Sequence, residues 1–175
     1  MIDFFRELLA LRHEINYYNR LPCQFEGFVE LPPLTEEVLS EVLSLVCINK
    51  NPGKGRWVPA YEFEIYKKDV LIGEICLRVG YSNRLYYGGQ IGYAILAAHR
   101  GRGYAARACR LIIPVARAHG MEKLLITNNC NNKASRRVCE KLGATLLRQA
   151  KLPFWHELYK EGQRYVNVFE WDLTD

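Results

Sequence analysis

The segment from Ile91 to Ala106 constrains the fold of this chain more than any other stretch of its sequence. It consists of an apolar strand pattern, a basic turn with two glycines and an alanine-rich helical pattern. Glycine lets the backbone approach a ligand closely, and the first N–H groups of a helix have no intrahelical acceptors. The helix dipole also favours negative charge at that end. The segment therefore predicts a strand–turn–helix unit that binds an anion such as a pyrophosphate.

Two familiar phosphate-binding motifs fit this turn poorly. The Walker A pattern G-x-x-x-x-G-K-[ST] does not occur in the sequence. The dinucleotide fingerprint G-x-G-x-x-[GA] is matched by Gly101, Gly103 and Ala106. That fingerprint also requires an acidic residue at the end of the next strand, whereas the predicted strand 123–127 is followed by Asn128. A dinucleotide-dependent enzyme is therefore only a third alternative.

The turn also matches the pattern [RQ]-x-x-G-x-[GA] over residues 100–105. In this form it resembles the coenzyme A pyrophosphate loop of the GNAT superfamily of N-acetyltransferases. A second block, residues 132–144, is similar to the superfamily's N-x-x-S-x-x-V-x-E-K-x-G segment. The likeness covers residues 70–173, and the tail from 157 to 173 resembles that of a largely uncharacterised bacterial subgroup. Two blocks in the right order, with a strand between them, make this the preferred interpretation.

The resemblance implies an α/β (α+β) fold with a mixed, mostly antiparallel central sheet flanked by helices. In GNAT proteins the strand before the loop and the strand after the main helix splay apart, and the pantetheine arm of acetyl-CoA lies in the gap. We expect one domain over residues 1–175, with the motif-bearing core in 70–173. The N-terminal part, 1–60, is expected to be helical and to shape the acceptor site.

Hydrophobic periodicity and turn signals predict the individual elements. Helices are predicted over residues 2–18, from Thr35 to Val46 with Leu39, Val42 and Leu43 on its apolar face, over 103–119 and over 132–142. Pro114 should kink the third of these helices, because proline removes a backbone hydrogen bond. Strands are predicted over 61–67, 70–79, 89–96, 123–127, 145–149 and 165–172.

The resemblance assigns most coenzyme contacts to backbone groups. It places the Tyr93 N–H near the thioester carbonyl, where it would stabilise a developing oxyanion, and the Ile95 backbone against pantetheine. Asn132 would reach the pantetheine amides, or would simply cap its helix. The remaining contacts, to the pyrophosphate, are implied for Arg100, Gly101, Arg102, Gly103, Tyr104 and Ala105.

The implied chemistry is direct attack by a neutral amine on the acetyl thioester, which requires an acid for the departing thiolate. Many family members place a tyrosine acid where this chain has Cys139. Ser135 matches a serine that ribosomal-protein and related acetyltransferases place near the sulfur. Ser135 is therefore the candidate that protonates or hydrogen-bonds the thiolate.

A base must also deprotonate the ammonium form of the acceptor. The family often uses a glutamate near the start of the strand before the loop, where this chain has Gln90. An uncharged amide cannot accept the proton, although it can position a water. Glu74 on the neighbouring strand is the candidate base, and His156 and Glu157 lie in a late connection that can overhang the acceptor site in this architecture.

Composition agrees with this interpretation. The net charge of +5 suits an anionic ligand, but the basic residues are scattered and form no stripe typical of a nucleic-acid binder. Six cysteines without a C-x-x-C pair indicate reduced thiols, and no apolar run reaches the length of a membrane span. We therefore expect a cytoplasmic, metal-free N-acetyltransferase, monomeric or homodimeric, that uses acetyl-CoA and an amine acceptor. The alternative from another class is a non-catalytic module that binds or senses acyl-CoA.

Overall fold

Two antiparallel sheets form the frame of the molecule in the computed structural model, which describes residues 2–38 and 41–174. The first sheet has the strand order β1 (Thr35–Val38), β2 (Glu41–Asn51), β3 (Ala60–Lys67), β4 (Val70–Arg78), β5 (Ile91–Ile95). The second has the order β6 (Lys123–Asn129), β8 (Tyr165–Asp172), β7 (Thr145–Lys151). The helices are α1 (Ile2–Tyr18), α2 (Asn83–Gly88), α3 (Tyr104–Leu111), α4 (Ile113–Ala118), α5 (Lys133–Leu142) and α6 (Glu157–Lys160).

The first sheet has one buried face because its central strands alternate apolar and polar residues. Phe63 on β3 and Ile75 on β4 point into the main core, where they join Ala108 of α3. The opposite face carries Glu64 and Glu74, which are cross-strand partners. We call this second face the open face.

Strands β6 and β8 of the second sheet are buried on both faces. Leu124 and Ile126 of β6 belong to the main core with α3 and α4, whereas Leu125 between them packs in a second cluster. That cluster includes Tyr18 of α1 and Tyr86 of α2. Burial on both faces explains why β6 has a continuous apolar run. Helix α1 confirms the helix predicted over residues 2–18.

Gln90 joins the two sheets at the start of β5. Its backbone N–H donates to the Leu125 carbonyl at 2.8 Å, and the Leu125 N–H donates to Gln90 Oε1 at 2.6 Å. Gln90 Nε2 donates to the Gly80 carbonyl at 3.1 Å, and the side chain is fully buried. Strands β5 and β6 belong to different sheets, so the splayed arrangement that the resemblance implied is confirmed. Both ends of the Gln90 amide bind backbone groups, so Gln90 is a structural link rather than a residue that positions water.

The helix predicted from Thr35 to Val46 is wrong. This region forms the β1–β2 hairpin, in which Thr35 pairs with Ser44. Leu43 and Leu45 are buried while Val46 is 48% exposed, which is the two-residue period of a strand. The β-branched residues of this region favour a strand, and cross-strand pairing outweighs the helix-start signal at Thr35. Leu39 lies outside the described residues.

The other predicted elements are confirmed, with boundary shifts. The helix predicted over 103–119 breaks at Ile112, and Pro114 lies in the first turn of α4, where its missing N–H costs no helical hydrogen bond. Helix α2 was not predicted, although Ser82 caps it by accepting the Leu85 N–H at 3.2 Å. Within the described ranges, no helix is long and apolar enough to cross a membrane.

Candidate active site

A cavity of about 510 Å³ opens beside β5, between the N-terminal ends of α3 and α5. We call it the first cavity. It brings together residues from both sequence blocks, including most of the predicted coenzyme residues. These are Tyr93, Ile95, Arg100, Gly101, Gly103, Tyr104, Ala105, Asn132 and Ser135.

The turn before α3 has the backbone geometry that its glycines predict. Gly101 and Gly103 have φ values of 79° and 83°, in the left-handed region that side chains other than glycine rarely adopt. The N–H of Arg107 donates to the Gly103 carbonyl at 3.2 Å and forms the first hydrogen bond of the helix. The N–H groups that precede Arg107 therefore have no intrahelical acceptors and can bind an anion.

The lining of the first cavity is basic. Arg100, Arg137 and Lys141 line it, and none of its described lining residues is acidic. Arg100 Nε donates to the Ile95 carbonyl at 2.8 Å, which holds this guanidinium at the end of β5. Arg102, in contrast, is exposed and lies outside the lining. Arg137 and Lys141 were not predicted as site residues, although their spacing of four residues places both on one face of α5.

Carboxylates from the first two strands anchor the N-terminal end of α3. The Tyr104 hydroxyl donates to Glu41 at 3.1 Å. Arg107 donates to Glu36 at 2.8 Å through Nε and to Glu41 at 3.2 Å through Nη1. The β1–β2 hairpin therefore fixes the position of the turn before α3.

Two hydroxyl groups meet inside the first cavity. Tyr93 Oη and Ser135 Oγ are 2.9 Å apart, although the residues come from β5 and from α5. Burial raises the pKa of the Tyr93 phenol well above its usual range, so the phenol stays protonated and can donate to the serine oxygen. Asn132 Oδ1 accepts the Ser135 N–H at 3.0 Å, so Asn132 caps α5. The resemblance implied only backbone contacts for Tyr93, and the contact of its hydroxyl with Ser135 was not revealed by the sequence.

Cys139, which occupies the position of the family's tyrosine acid, is fully buried and is absent from the lining of the first cavity. Its Sγ lies 3.7 Å from Nδ2 of the buried Asn128. Burial raises the pKa of the Cys139 thiol from 9.0 to about 11. Cys139 therefore packs in the core and cannot replace the tyrosine acid.

Glu74 lies away from the other predicted catalytic groups. It is exposed on the open face, where it pairs with Ala94 of β5. Tyr93 is paired with Ile75 and points to the buried face. The structure therefore places Glu74 and the Tyr93–Ser135 pair on opposite faces of the sheet.

A second cavity, of about 320 Å³, lies at the end of the open face beside α2 and α6. His156 is buried in its wall, and burial lowers its pKa. Its Nδ1 accepts the Leu158 N–H at 3.2 Å, and its Nε2 lies 3.2 Å from the Arg84 carbonyl. Glu157 forms an ion pair with the Arg84 side chain. His156 and Glu157 therefore attach the connection between β7 and β8 to α2. Because both side chains are engaged in these contacts, neither is available as a base.

Comparison with known proteins places this site in a family context. A model of the acetyltransferase (GNAT) domain matches residues 17–145, which is most of the chain. A search of curated proteins gave no match.

Solved structures share the fold. A ribosomal-protein-S5-alanine acetyltransferase from Vibrio fischeri is 19% identical, with a TM-score of 0.52 over 66% of this chain and 63% of its own. An acetyltransferase from Salmonella typhimurium that modifies the N-terminal serine of ribosomal protein L7/L12 is 18% identical, with a TM-score of 0.50 over 63% of this chain and 62% of its own. The chain therefore spans about six tenths of the length of these two structures.

Proposed function

The chain belongs to the GNAT acetyltransferase family, whose members use acetyl-CoA as co-substrate, and we propose that it transfers the acetyl group to a primary amine. One observation carries the proposal. The first cavity unites the anion-binding turn before α3 with Tyr93 and Ser135, so a coenzyme phosphate site and a pair of hydroxyl groups share one space.

Coenzyme binding would use fixed groups of the two sequence blocks. The pyrophosphate would accept hydrogen bonds from the free N–H groups of the turn, and the positive end of α3 would stabilise its charge. Arg100, Arg137 and Lys141 supply the neutralising charge around the same cavity. Pantetheine would then extend along β5 past Ile95, in the space where β5 and β6 lie in different sheets.

We propose direct attack in a ternary complex. The amine nitrogen forms a bond to the thioester carbon, and the oxyanion that develops accepts a hydrogen bond from the Tyr93 N–H. The C–S bond then breaks, and its electron pair moves to sulfur. The Ser135 hydroxyl donates to this thiolate, while the Tyr93 hydroxyl donates to Ser135 Oγ and so directs the serine proton towards sulfur. Before the attack, the ammonium group of the acceptor gives one proton to Glu74, directly or through water. The second proton, which the nitrogen loses after the attack, ends on the released thiol.

Calorimetric titration with acetyl-CoA, with NADH as the control ligand, tests the coenzyme assignment. We expect micromolar binding of acetyl-CoA and no heat from NADH, followed by thiol release in the presence of an amine acceptor. Binding of NADH alone would refute the coenzyme assignment. Acetyl-CoA binding without thiol release from any amine would instead support the non-catalytic acyl-CoA-binding module, which the buried Cys139 favours.

A cytoplasmic location is part of the same proposal. All six cysteines are free, and two of them, Cys109 and Cys139, are fully buried. Free thiols are typical of proteins from reducing compartments.

A further inference from the structure

Strand β4 places a carboxylate and a guanidinium along the same side of β5. Glu74, Cys76 and Arg78 alternate with buried residues, so all three belong to the open face. Glu74 pairs with Ala94, and Cys76 pairs with Gly92. With a rise of about 3.3 Å per residue, the Cα atoms of Glu74 and Arg78 are about 13 Å apart. This strip of the open face therefore has an acidic end and a basic end.

The sheet surface between the acidic and the basic end consists of small residues, Cys76 on β4 and Gly92 and Ala94 on β5. A Cβ atom built on Gly92 would lie 3.1 Å from Cys76 Sγ and 3.6 Å from the terminal nitrogens of Arg78. These side chains already occupy the space over position 92, and glycine there lets the Cys76 thiol and the Arg78 guanidinium lie against β5. The Arg78 guanidinium therefore lies beside Tyr93, the next residue of β5, whose N–H is the proposed oxyanion donor. A small molecule bound to Arg78 would therefore lie close to the reacting carbonyl.

Arg78 is an uncompensated cation at the basic end. Its side chain is half-buried, and its Nη1 donates to the Gly89 carbonyl at 3.3 Å. Among residues 2–38 and 41–174, no carboxylate lies within 4.0 Å of its charged nitrogens. A guanidinium offers a planar fork of N–H donors that matches a carboxylate or a phosphate. Arg78 therefore provides a site for an anionic group next to β5.

The acidic end of the strip favours a cationic group. Glu74 and Glu64 are direct cross-strand partners, and two adjacent carboxylates favour a cation between or above them. Tyr66 donates to Glu64 at 2.8 Å, which keeps one of the two carboxylates in place. An ammonium group is the cation that an acetyl acceptor brings, and its deprotonation requires a base at this point.

We propose that this strip of the open face is the acceptor site, and that the acceptor is a small amine that also carries a carboxylate or phosphate-type anion. The inference rests on the proposed acetyl transfer. Arg78 binds the anionic group beside Gly92, Glu74 opposite Ala94 removes the ammonium proton, and the neutral amine attacks the thioester between them, beside Tyr93. A polyamine fits less well, because its second ammonium group would meet the Arg78 guanidinium at the basic end of the strip.

Thiol-release kinetics with four amines of similar length test the inference. β-Alanine and 2-aminoethylphosphonate carry an anion, propylamine is neutral at its far end, and ethylenediamine is cationic there. We expect kcat/KM for at least one anionic amine to exceed that of propylamine by about tenfold or more, as a charge-assisted contact implies. The stronger of the two anionic substrates distinguishes carboxylate from phosphate recognition. A highest value for ethylenediamine, or equal values for all four, would overturn the inference.

Substitutions of Arg78 test whether this residue causes the preference for an anionic amine over propylamine. Arg78→Met should lower the ratio of the anionic amine to propylamine by about tenfold, and Arg78→Lys should retain part of it. Arg12→Met, at an exposed position of α1, serves as the matched control and should leave the ratio unchanged. An equal loss for every amine in Arg78→Met would show that Arg78 does not select the acceptor.

A binding measurement separates this inference from the proposed function. In the protein without coenzyme, β-alanine or 2-aminoethylphosphonate should shift the Nε–H resonance of Arg78 saturably, whereas propylamine should not. Such a shift in a protein that fails to bind acetyl-CoA would support the anion site and refute the acetyl transfer. Acetyl transfer without any shift of this resonance would support the proposed function and refute the anion site.

Discussion

The Tyr93–Ser135 hydroxyl pair gives a sharp prediction for a double-mutant cycle. In the proposed mechanism Ser135 donates a hydrogen bond to the departing thiolate. Tyr93 acts only through Ser135, because its Oη lies 2.9 Å from Ser135 Oγ. The variants are Ser135→Ala, Tyr93→Phe and the combination of both. Phenylalanine keeps the buried ring, so the substitution removes only the hydroxyl.

The magnitudes follow from the two hydrogen bonds. A hydrogen bond to a charged group contributes about 1.5–3 kcal/mol, so Ser135→Ala should lower kcat by about 10- to 150-fold. The bond between Tyr93 and Ser135 is neutral and contributes about 1 kcal/mol, so Tyr93→Phe should lower kcat about fivefold. In the absence of the Ser135 hydroxyl, the Tyr93 hydroxyl has no serine proton to orient towards the sulfur. The double variant should therefore equal Ser135→Ala alone, with a coupling energy of about 1 kcal/mol.

The assay is thiol release at saturating acetyl-CoA, together with the Kd of acetyl-CoA from calorimetry. Both single variants should change Kd by less than about twofold, because the interaction forms with the thiolate rather than with the bound coenzyme. Tyr165→Phe is the matched control, because Tyr165 is 48% exposed on β8 and does not line the first cavity. Multiplicative losses in the double variant would show that Tyr93 and Ser135 act independently. A loss confined to Kd would refute the role in thiolate release.

Two further predictions concern the coenzyme turn and the buried thiol. Gly103→Val should abolish acetyl-CoA binding in calorimetry while the circular dichroism spectrum is retained, because φ of 83° is strained by about 1–3 kcal/mol for a β-branched residue at the anion site. Gly162→Val, with φ of 95° in a distant loop, is the control and should bind normally, so equal loss in both variants would contradict the reasoning. The raised pKa of Cys139 stabilises the fold fully below pH 9.0, and this contribution is lost as the pH rises through about 11. Urea unfolding should show that the stability advantage of the wild type over Cys139→Val falls by about 2–3 kcal/mol across that interval, whereas a constant difference would refute the assigned burial effect.

The sequence alone was sufficient for the part of the molecule that local chemistry specifies. The glycines at 101 and 103 favour a left-handed turn, and the helix that follows supplies free N–H groups, so the backbone geometry of this turn was predictable from spacing. Pro114 likewise determined where the helix after the turn breaks. The strands β3 and β4 were predictable because apolar and polar residues alternate along them, which reflects one buried and one open face of the first sheet.

The tertiary structure decided what depends on partners distant in the chain. The segment from Thr35 is a hairpin because Leu43 and Leu45 reach the core, and its carboxylates then fix α3. Spacing within a motif did not reveal that the Tyr93 hydroxyl meets Ser135, since the two residues are 42 positions apart and meet only across the cavity. The sequence also did not reveal that Glu74 lies on the opposite face of the sheet from Tyr93 and Ser135, because the face that a strand residue occupies depends on the register of the sheet. Local backbone preferences are encoded by neighbouring residues, whereas contacts between elements appear only when the sheets and helices pack.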